Sequence, residues 1–212
     1  MDRPTATAAP GRRERNKQRI RERVYQAALE LFAEQGYDAT SVDAIAERAD
    51  VARGTFFNHF QRKEDLITEW GERRRARLKA ELEGDVYAEG GEFELRLQRC
   101  MTVLSRINEE ERHTTPAMLQ AWVQAGQPLL EEPYAALIFA EIVERGRTGG
   151  EFAPGVDPVL VGNILRDTYL GALYRWARAE NRRPLQGELE QMLGIILNGI
   201  RRRPEGPDTG SS

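Results

Sequence analysis

Apolar residues recur at three- and four-residue intervals along almost the whole chain, and no stretch sustains a period of two. A three-to-four spacing is the signature of helices with one buried face. The first stripe is Ile20, Val24, Ala27, Ala28, Leu31 and Phe32, closed by Gly36 as the residue just past a helix end. Ser41 then caps a short helix whose inner face is Ala44, Ile45 and Ala49. Asp50 follows as a left-handed turn residue, Val51 buries in the turn, and Phe56 and Phe60, four apart, anchor a second short helix. A longer helix with Lys63 in its first turn runs to about Glu83, with Ile67, Trp70, Arg74, Leu78 and Leu82 inward.

The pattern breaks at GDVYAEGGE and resumes from about Phe93 to Glu110, with Leu97, Cys100, Met101, Leu104 and Ile107 on one face. The spacing predicts another helix from about Thr114 to Ala125, and one from near Leu129 to Arg145 that buries Leu130, Tyr134, Ile138 and Ile142. After the loop RGRTGGEFAPGVDP, Asp157 as N-cap and Pro158 at the first helical position open a helix to about Arg178. The last, from Leu185 to Arg202, carries Leu189, Met192, Leu193, Ile196, Leu197 and Ile200 as its seam. The fold expected is all-α.

Thr40 to Lys63, TSVDAIAERADVARGTFFNHFQRK, carries the chemistry. With Phe56 and Phe60 turned inward, the opposite face of the second short helix holds Arg53, Gly54, Thr55, Phe57, Asn58 and His59. A cation, an amide, a hydroxyl, an exposed ring and a close-approach glycine suit phosphates and base edges in a major groove. Thr40, Ser41 and Lys63 complete the expected DNA-binding set, Lys63 through backbone N–H groups that favour a phosphate.

From ALELFAEQGYDATSVDAIAERADVARGTFFNHF through KEDL, the chain resembles the DNA-binding head of the TetR family of bacterial transcriptional regulators. The likeness covers a quarter to a third of the chain. Two positions depart from the family pattern: Ala52 stands where a capping Ser is common, and Phe57 where Tyr often stands. The resemblance implies a ligand-responsive repressor with a helix-turn-helix head and a larger helical body that binds an effector and dimerises. The expected division is an arm at 1–12, a head at 13–60, a body at 61–203 and a tail at 204–212. It also implies a four-helix bundle between two chains, built from the last two helices. Gly162, Gly171 and Ala172 would allow close approach there, and Leu189, Leu193, Ile196 and Ile200 would supply the stripe.

Charge sharpens this picture. The net charge is −3, but residues 1–23 hold eight Arg or Lys against three acids, and the remainder holds 23 against 31. A basic end on an acidic body suits a protein that meets DNA at one end. The run RRERNKQRIRER, placed before a helix-turn-helix, is read as contacting phosphate or minor groove in preference to a merely solvated helix end. No apolar run approaches the ~18 residues that span a bilayer, and the first twenty lack a signal peptide's apolar core, so a cytoplasmic protein is expected.

Other chemistry finds little support. Glu110 and His113 share the Glu-x-x-His spacing of bundle metal sites, but such a site needs two copies, and the chain has only His59 and His113. No nucleophile has a plausible His base, so no catalytic residue, metal or cofactor is expected. Single Cys100 reads as a small buried apolar group. Trp70, Arg74, Met101, Leu104, Met118, Trp122 and Phe139 are read as bounding a mostly apolar effector pocket, with plain core packing as the bland alternative. Arg74 either reaches solvent, pairs with a buried acid or favours an acidic ligand. The competing function is a helical-bundle carrier or enzyme whose head docks protein, which salt-dependent duplex binding would separate from a DNA-binding repressor.

Overall fold

A computed structural model describes residues 11–83, 92–130, 132–180 and 183–201, and the expected arm before residue 11, the loop at 84–91 and the tail lie outside them. Among the described residues the regular elements are helices: α1 Arg12–Gln35, α2 Val42–Arg48, α3 Arg53–Phe57, α4 Glu64–Leu82, α5 Phe93–Glu110, α6 Thr115–Gln124, α7 Gln127–Leu130, α8 Tyr134–Thr148, α9 Pro158–Arg178 and α10 Leu185–Ile200. None is long and apolar enough to cross a membrane.

The termini follow local chemistry. Gly36, at φ 85°, ends α1 and donates its N–H to the Phe32 carbonyl, a conformation that a Cβ would strain. Ser41 Oγ accepts from the Ala44 N–H, and Asp157 Oδ1 accepts from the N–H groups of Val159 and Leu160. Asp50 turns the chain at φ 51°. The helix expected from Leu129 to Arg145 is instead two helices. Pro133 has no N–H to donate and bars Glu132 from helical geometry, so α7 stops at Leu130 and α8 starts at Tyr134. Leu130, expected inside, is therefore exposed.

The chain forms two compact units. One runs to Trp70 and also takes in Ala117–Gln127; the other holds Gly71–Pro116 and the chain from Pro128 onward. The first unit is thus larger than a head ending at residue 60. α4, α6 and α7 each contribute residues to both units.

In the first unit Val24 and Phe32 of α1 are buried, as are Ile45, Phe56, Phe60, Leu66 and Ile67. Each of these large side chains contributes about 1.5–3 kcal/mol on burial. Trp70, Met118 and Trp122 are also buried in this unit.

The second unit is built around α8 and α9, which pack closely because Gly162 has no side chain. A Cβ there would lie 2.5 Å from the Ala136 carbonyl oxygen and 2.9 Å from the Ala140 nitrogen. Gly162 and the buried Ala172 therefore serve packing within one chain, not contact between chains. The α10 stripe needs the same correction. Leu189, Leu193 and Ile200, expected at a dimer seam, are buried in their own chain, with Leu197 beside them, and Ile196 is half-buried. A stripe at helical spacing marks a face that is covered; it does not say which chain covers it. The outward large apolar residues of α9 and α10 are instead Val159, Leu160, Ile164 and Ile195.

Candidate nucleic-acid interface

The geometry of α3 follows from its two inner rings. Phe56 and Phe60 are fully buried 5.9 Å apart, and Phe57 meets Phe56 edge-on at 5.4 Å. Anchoring one face leaves Arg53, Gly54, Phe57 and Asn58 exposed, with Phe57 44% accessible, and Thr55 half-buried at the margin. A Cβ added at Gly54 would meet nothing within 4 Å, so this side of the helix is open. Ala52 provides no side-chain cap, and Asn58 ends the helix with its N–H on the Gly54 carbonyl.

Arg53 is held from α2. Its Nη1 donates to both Asp43 oxygens, at 2.8 and 2.9 Å, and its guanidinium sits 5.8 Å from the Phe57 ring centre. The pair uses one terminal nitrogen only. Both partners are well exposed, so it adds little stability, but it narrows the directions in which the remaining N–H groups point. Asp43 was invisible to sequence reasoning, because ten residues and a turn separate it from Arg53 and no periodicity links them.

Three expected contacts sit differently. Thr40 is only 2% exposed, and its hydroxyl donates to the Gly36 carbonyl at 2.7 Å, so it closes the end of α1 and does not face DNA. Lys63 precedes α4 instead of lying in its first turn. Its Nζ donates to the carbonyls of Tyr37 and Thr40, at 2.7 and 3.0 Å, and lies 3.9 Å from the Tyr37 ring centre. Tyr37 in turn donates its hydroxyl to Glu64 at 2.9 Å, and burial pushes its pKa up. This ammonium staples the α1–α2 loop. Lys63→Ala is expected to lower head stability by about 1.5–3 kcal/mol, the usual worth of charged hydrogen bonds, seen as an earlier melt before any DNA is added. An unchanged melting curve would return Lys63 to the DNA-contact set.

His59 is half-buried. Its Nδ1 is enclosed without a hydrogen-bond partner, and its carbonyl accepts from Arg21. Burial first, then the charges of Arg21 and Lys17, hold its pKa below the ordinary histidine value, so the ring is neutral at pH 7.

The expected effector residues fall into both units: Trp70, Met118 and Trp122 in the first, Arg74, Met101, Leu104 and Phe139 in the second. Within the second, the Arg74 side chain is mostly covered and its charge is compensated. Its Nη1 donates to Glu111 at 2.6 Å and its Nη2 to the side-chain oxygen of Asn108. The buried Asn108 donates onward to the Leu104 carbonyl at 2.7 Å and to the Tyr169 hydroxyl oxygen at 2.9 Å. Glu111 offsets the guanidinium, which removes the reason to expect an acidic ligand. Of the expected dimer contacts, Ile196 is half-buried and Gly171 keeps an open side: a Cβ there would meet only the end of Arg175, at 3.4 Å.

Comparison with known proteins places this geometry. Residues 24–69 match the family model described as bacterial regulatory proteins, tetR family. The HTH-type transcriptional repressor KstR of Rhodococcus jostii (strain RHA1) is 27% identical over 187 residues, which is 87% of this chain and 86% of the relative. Among solved structures, Thermus thermophilus FadR, a TetR-family transcriptional repressor in complex with lauroyl-CoA, is 30% identical with a TM-score of 0.68, over 90% of this chain and 100% of that one. KstR2 of Mycobacterium tuberculosis, a ketosteroid transcriptional regulator, is 25% identical with a TM-score of 0.62, over 86% of this chain and 95% of that one. These relatives regulate transcription, which sets aside the enzyme reading. The match of helix-turn-helix residues, and of the fold along nearly the whole chain, carries one conclusion: this chain belongs to the TetR family and is a DNA-binding transcriptional repressor.

Proposed function

We propose that the protein works in the cytoplasm as a two-fold dimer that lays one α3 from each chain into successive major grooves of an operator, and that a mostly apolar small molecule releases it. The observation that carries the DNA reading is the exposed row Arg53, Gly54, Phe57 and Asn58 opposite the buried Phe56 and Phe60. Arg53 suits a guanine edge and Asn58 an adenine edge, with Ser41 and Thr55 flanking them. One five-residue helix reads too few base pairs for specificity in a genome, so two half-sites and two chains are needed.

The dimer face we propose is the outward side of α9 and α10, with Ile164 and Gly171 on one and Ile195 on the other. Arg175 supports their adjacency: from α9 it bonds Glu188 of α10 at 2.7 Å and Met192 Sδ at 3.8 Å, which puts the two outward faces side by side.

The effector class is suggested by one relative solved in complex with lauroyl-CoA and another described as a ketosteroid transcriptional regulator. The second unit of this chain offers suitable groups: apolar Met101, Leu104 and Phe139, and the Arg74–Asn108–Tyr169 hydrogen-bond chain for a ligand carbonyl. A ligand acts as a switch only if it prefers one conformation over the other.

The test has two stages. Arg53→Ala and Asn58→Ala are each expected to weaken operator binding by about 1–3 kcal/mol while changing binding to unrelated duplex little. Long-chain acyl-CoA thioesters and steroid ketones are then assayed for thermal stabilisation and for release of the operator. Unchanged footprints for both variants would defeat the recognition helix. No stabilisation and no release by either ligand class would defeat the effector reading.

A further inference from the structure

Arg53 is the only charged residue of α3, and the fold holds it from two sides. Both Asp43 oxygens accept from its Nη1, and the Phe57 ring centre lies 5.8 Å from its guanidinium. Asp43 stands on a fixed base. It lies in the first turn of α2, where Ser41 Oγ accepts from the Ala44 N–H and where Ile45 and Ala46 are buried. Arg48, from the same helix, makes a contrasting kind of pair. It uses both terminal nitrogens on Glu34, at 2.9 and 2.7 Å, and its Nη1 also reaches Glu30 at 3.3 Å.

The two pairs consume different edges of the guanidinium. A fork-to-fork pair such as Arg48–Glu34 takes the end edge, Nη1 together with Nη2. Asp43 takes Nη1 alone, and among the described residues nothing bonds Nε or Nη2 of Arg53. Those two nitrogens form the side edge, whose parallel N–H groups match the O6 and N7 acceptors of a guanine. Asp43 brings no general advantage on this face. The pair is well exposed and adds little to folding, and a carboxylate beside the one cation of α3 opposes a nearby phosphate backbone. Orientation of Arg53 is what the carboxylate does supply.

We infer that Asp43 is a positioning residue for sequence readout, which holds the Arg53 guanidinium with its Nε–Nη2 edge toward a guanine and keeps it off the phosphates. One guanine in each half-site then depends on a residue that touches no base. The inference rests on the proposed groove reading of α3, but it fails separately from it. An arginine released from Asp43 regains its rotamers, and backbone phosphate is the anion nearest to a helix lying in the groove. Loss of the carboxylate therefore exchanges discrimination for general affinity.

The experiment takes the operator that the full wild-type chain selects from random-sequence duplexes, substitutes each base pair in turn, and measures affinity beside that for an unrelated duplex. In the wild type one guanine per half-site should be preferred by roughly 5- to 150-fold, and Arg53→Ala should abolish that preference. Asp43→Ala is expected to remove most of the same preference. Its binding to the unrelated duplex should rise, and the slope of log affinity against log salt should steepen by about 0.9, for one added phosphate. Asp43→Asn keeps an accepting oxygen for Nη1 and should keep more of the preference than Asp43→Ala. In an Arg53→Ala background, Asp43→Ala should change no base preference. A merely structural loss would lower affinity for both duplexes together, since an unfolded fraction binds neither, and would leave every base preference intact; that result overturns the inference. So does a guanine preference that survives Asp43→Ala, or one that Asp43→Ala changes equally with and without Arg53. If no operator is selected, or if Arg53→Ala alters no preference, the groove reading fails and the inference falls with it.

Discussion

Leu193→Arg is expected to unfold the second unit, while Ile195→Arg, two residues away, leaves it folded and breaks the dimer. Leu193 is 2% exposed and Ile195 75% exposed, although both are apolar residues of α10. Arginine at 193 loses about 1.5–3 kcal/mol of burial and adds several kcal/mol for a desolvated guanidinium with no partner. Against a typical total of about 5–15 kcal/mol, that is enough to remove cooperative melting. Arginine at 195 stands in water in the single chain and costs it little, but it sets like charges against each other across the proposed two-fold face. Sedimentation should show a folded monomer, and binding to the two-half-site operator should fall to the level of unrelated duplex. A Leu193→Arg protein that melts normally, or an Ile195→Arg protein that stays dimeric, would reverse the assignment of these two faces.

Gly162→Val is expected to be the most damaging small substitution in the α8–α9 contact. The new Cβ would enter at 2.5 Å from the Ala136 oxygen and 3.0 Å from the Ala140 Cβ. Backbone cannot rotate aside as a side-chain tip can, so the two helices must separate along their contact. Overpacking of this kind costs about 1–3 kcal/mol, which lowers the melting temperature by roughly 2–12 °C in a protein of this size. Gly171→Val on the same helix is the control, since its Cβ meets only the flexible end of Arg175 at 3.4 Å. It should melt close to wild type, and its effect should appear in dimer dissociation. Equal melting losses for the two would mean that α9 does not have one packed side and one open side.

The helical class, most helix boundaries and the side of α3 that stays outside are legible in the residues alone. These are local matters: apolar spacing, Ser41 and Asp157 as caps, Gly36 and Asp50 in left-handed turns, and Phe56 and Phe60 one turn apart all act over a few residues. Pro133 was legible too, and giving the Leu130–Ile142 stripe precedence over it joined α7 to α8.

Which neighbour each side chain bonds was not legible there. Thr40 and Lys63 looked like DNA contacts until the α1–α2 loop brought carbonyl oxygens to them. Arg74 could equally have met solvent, an acid of the chain or an acidic ligand, and α5 with its following turn supplies Asn108 and Glu111. The α10 stripe looked intermolecular until its own chain covered it. Periodicity records that a face is buried and a cation records that a charge is present, but both are silent on partners many residues away. Partner choice is set by which surfaces the fold brings within bonding distance, and that is a property of the packed helices, not of any one of them.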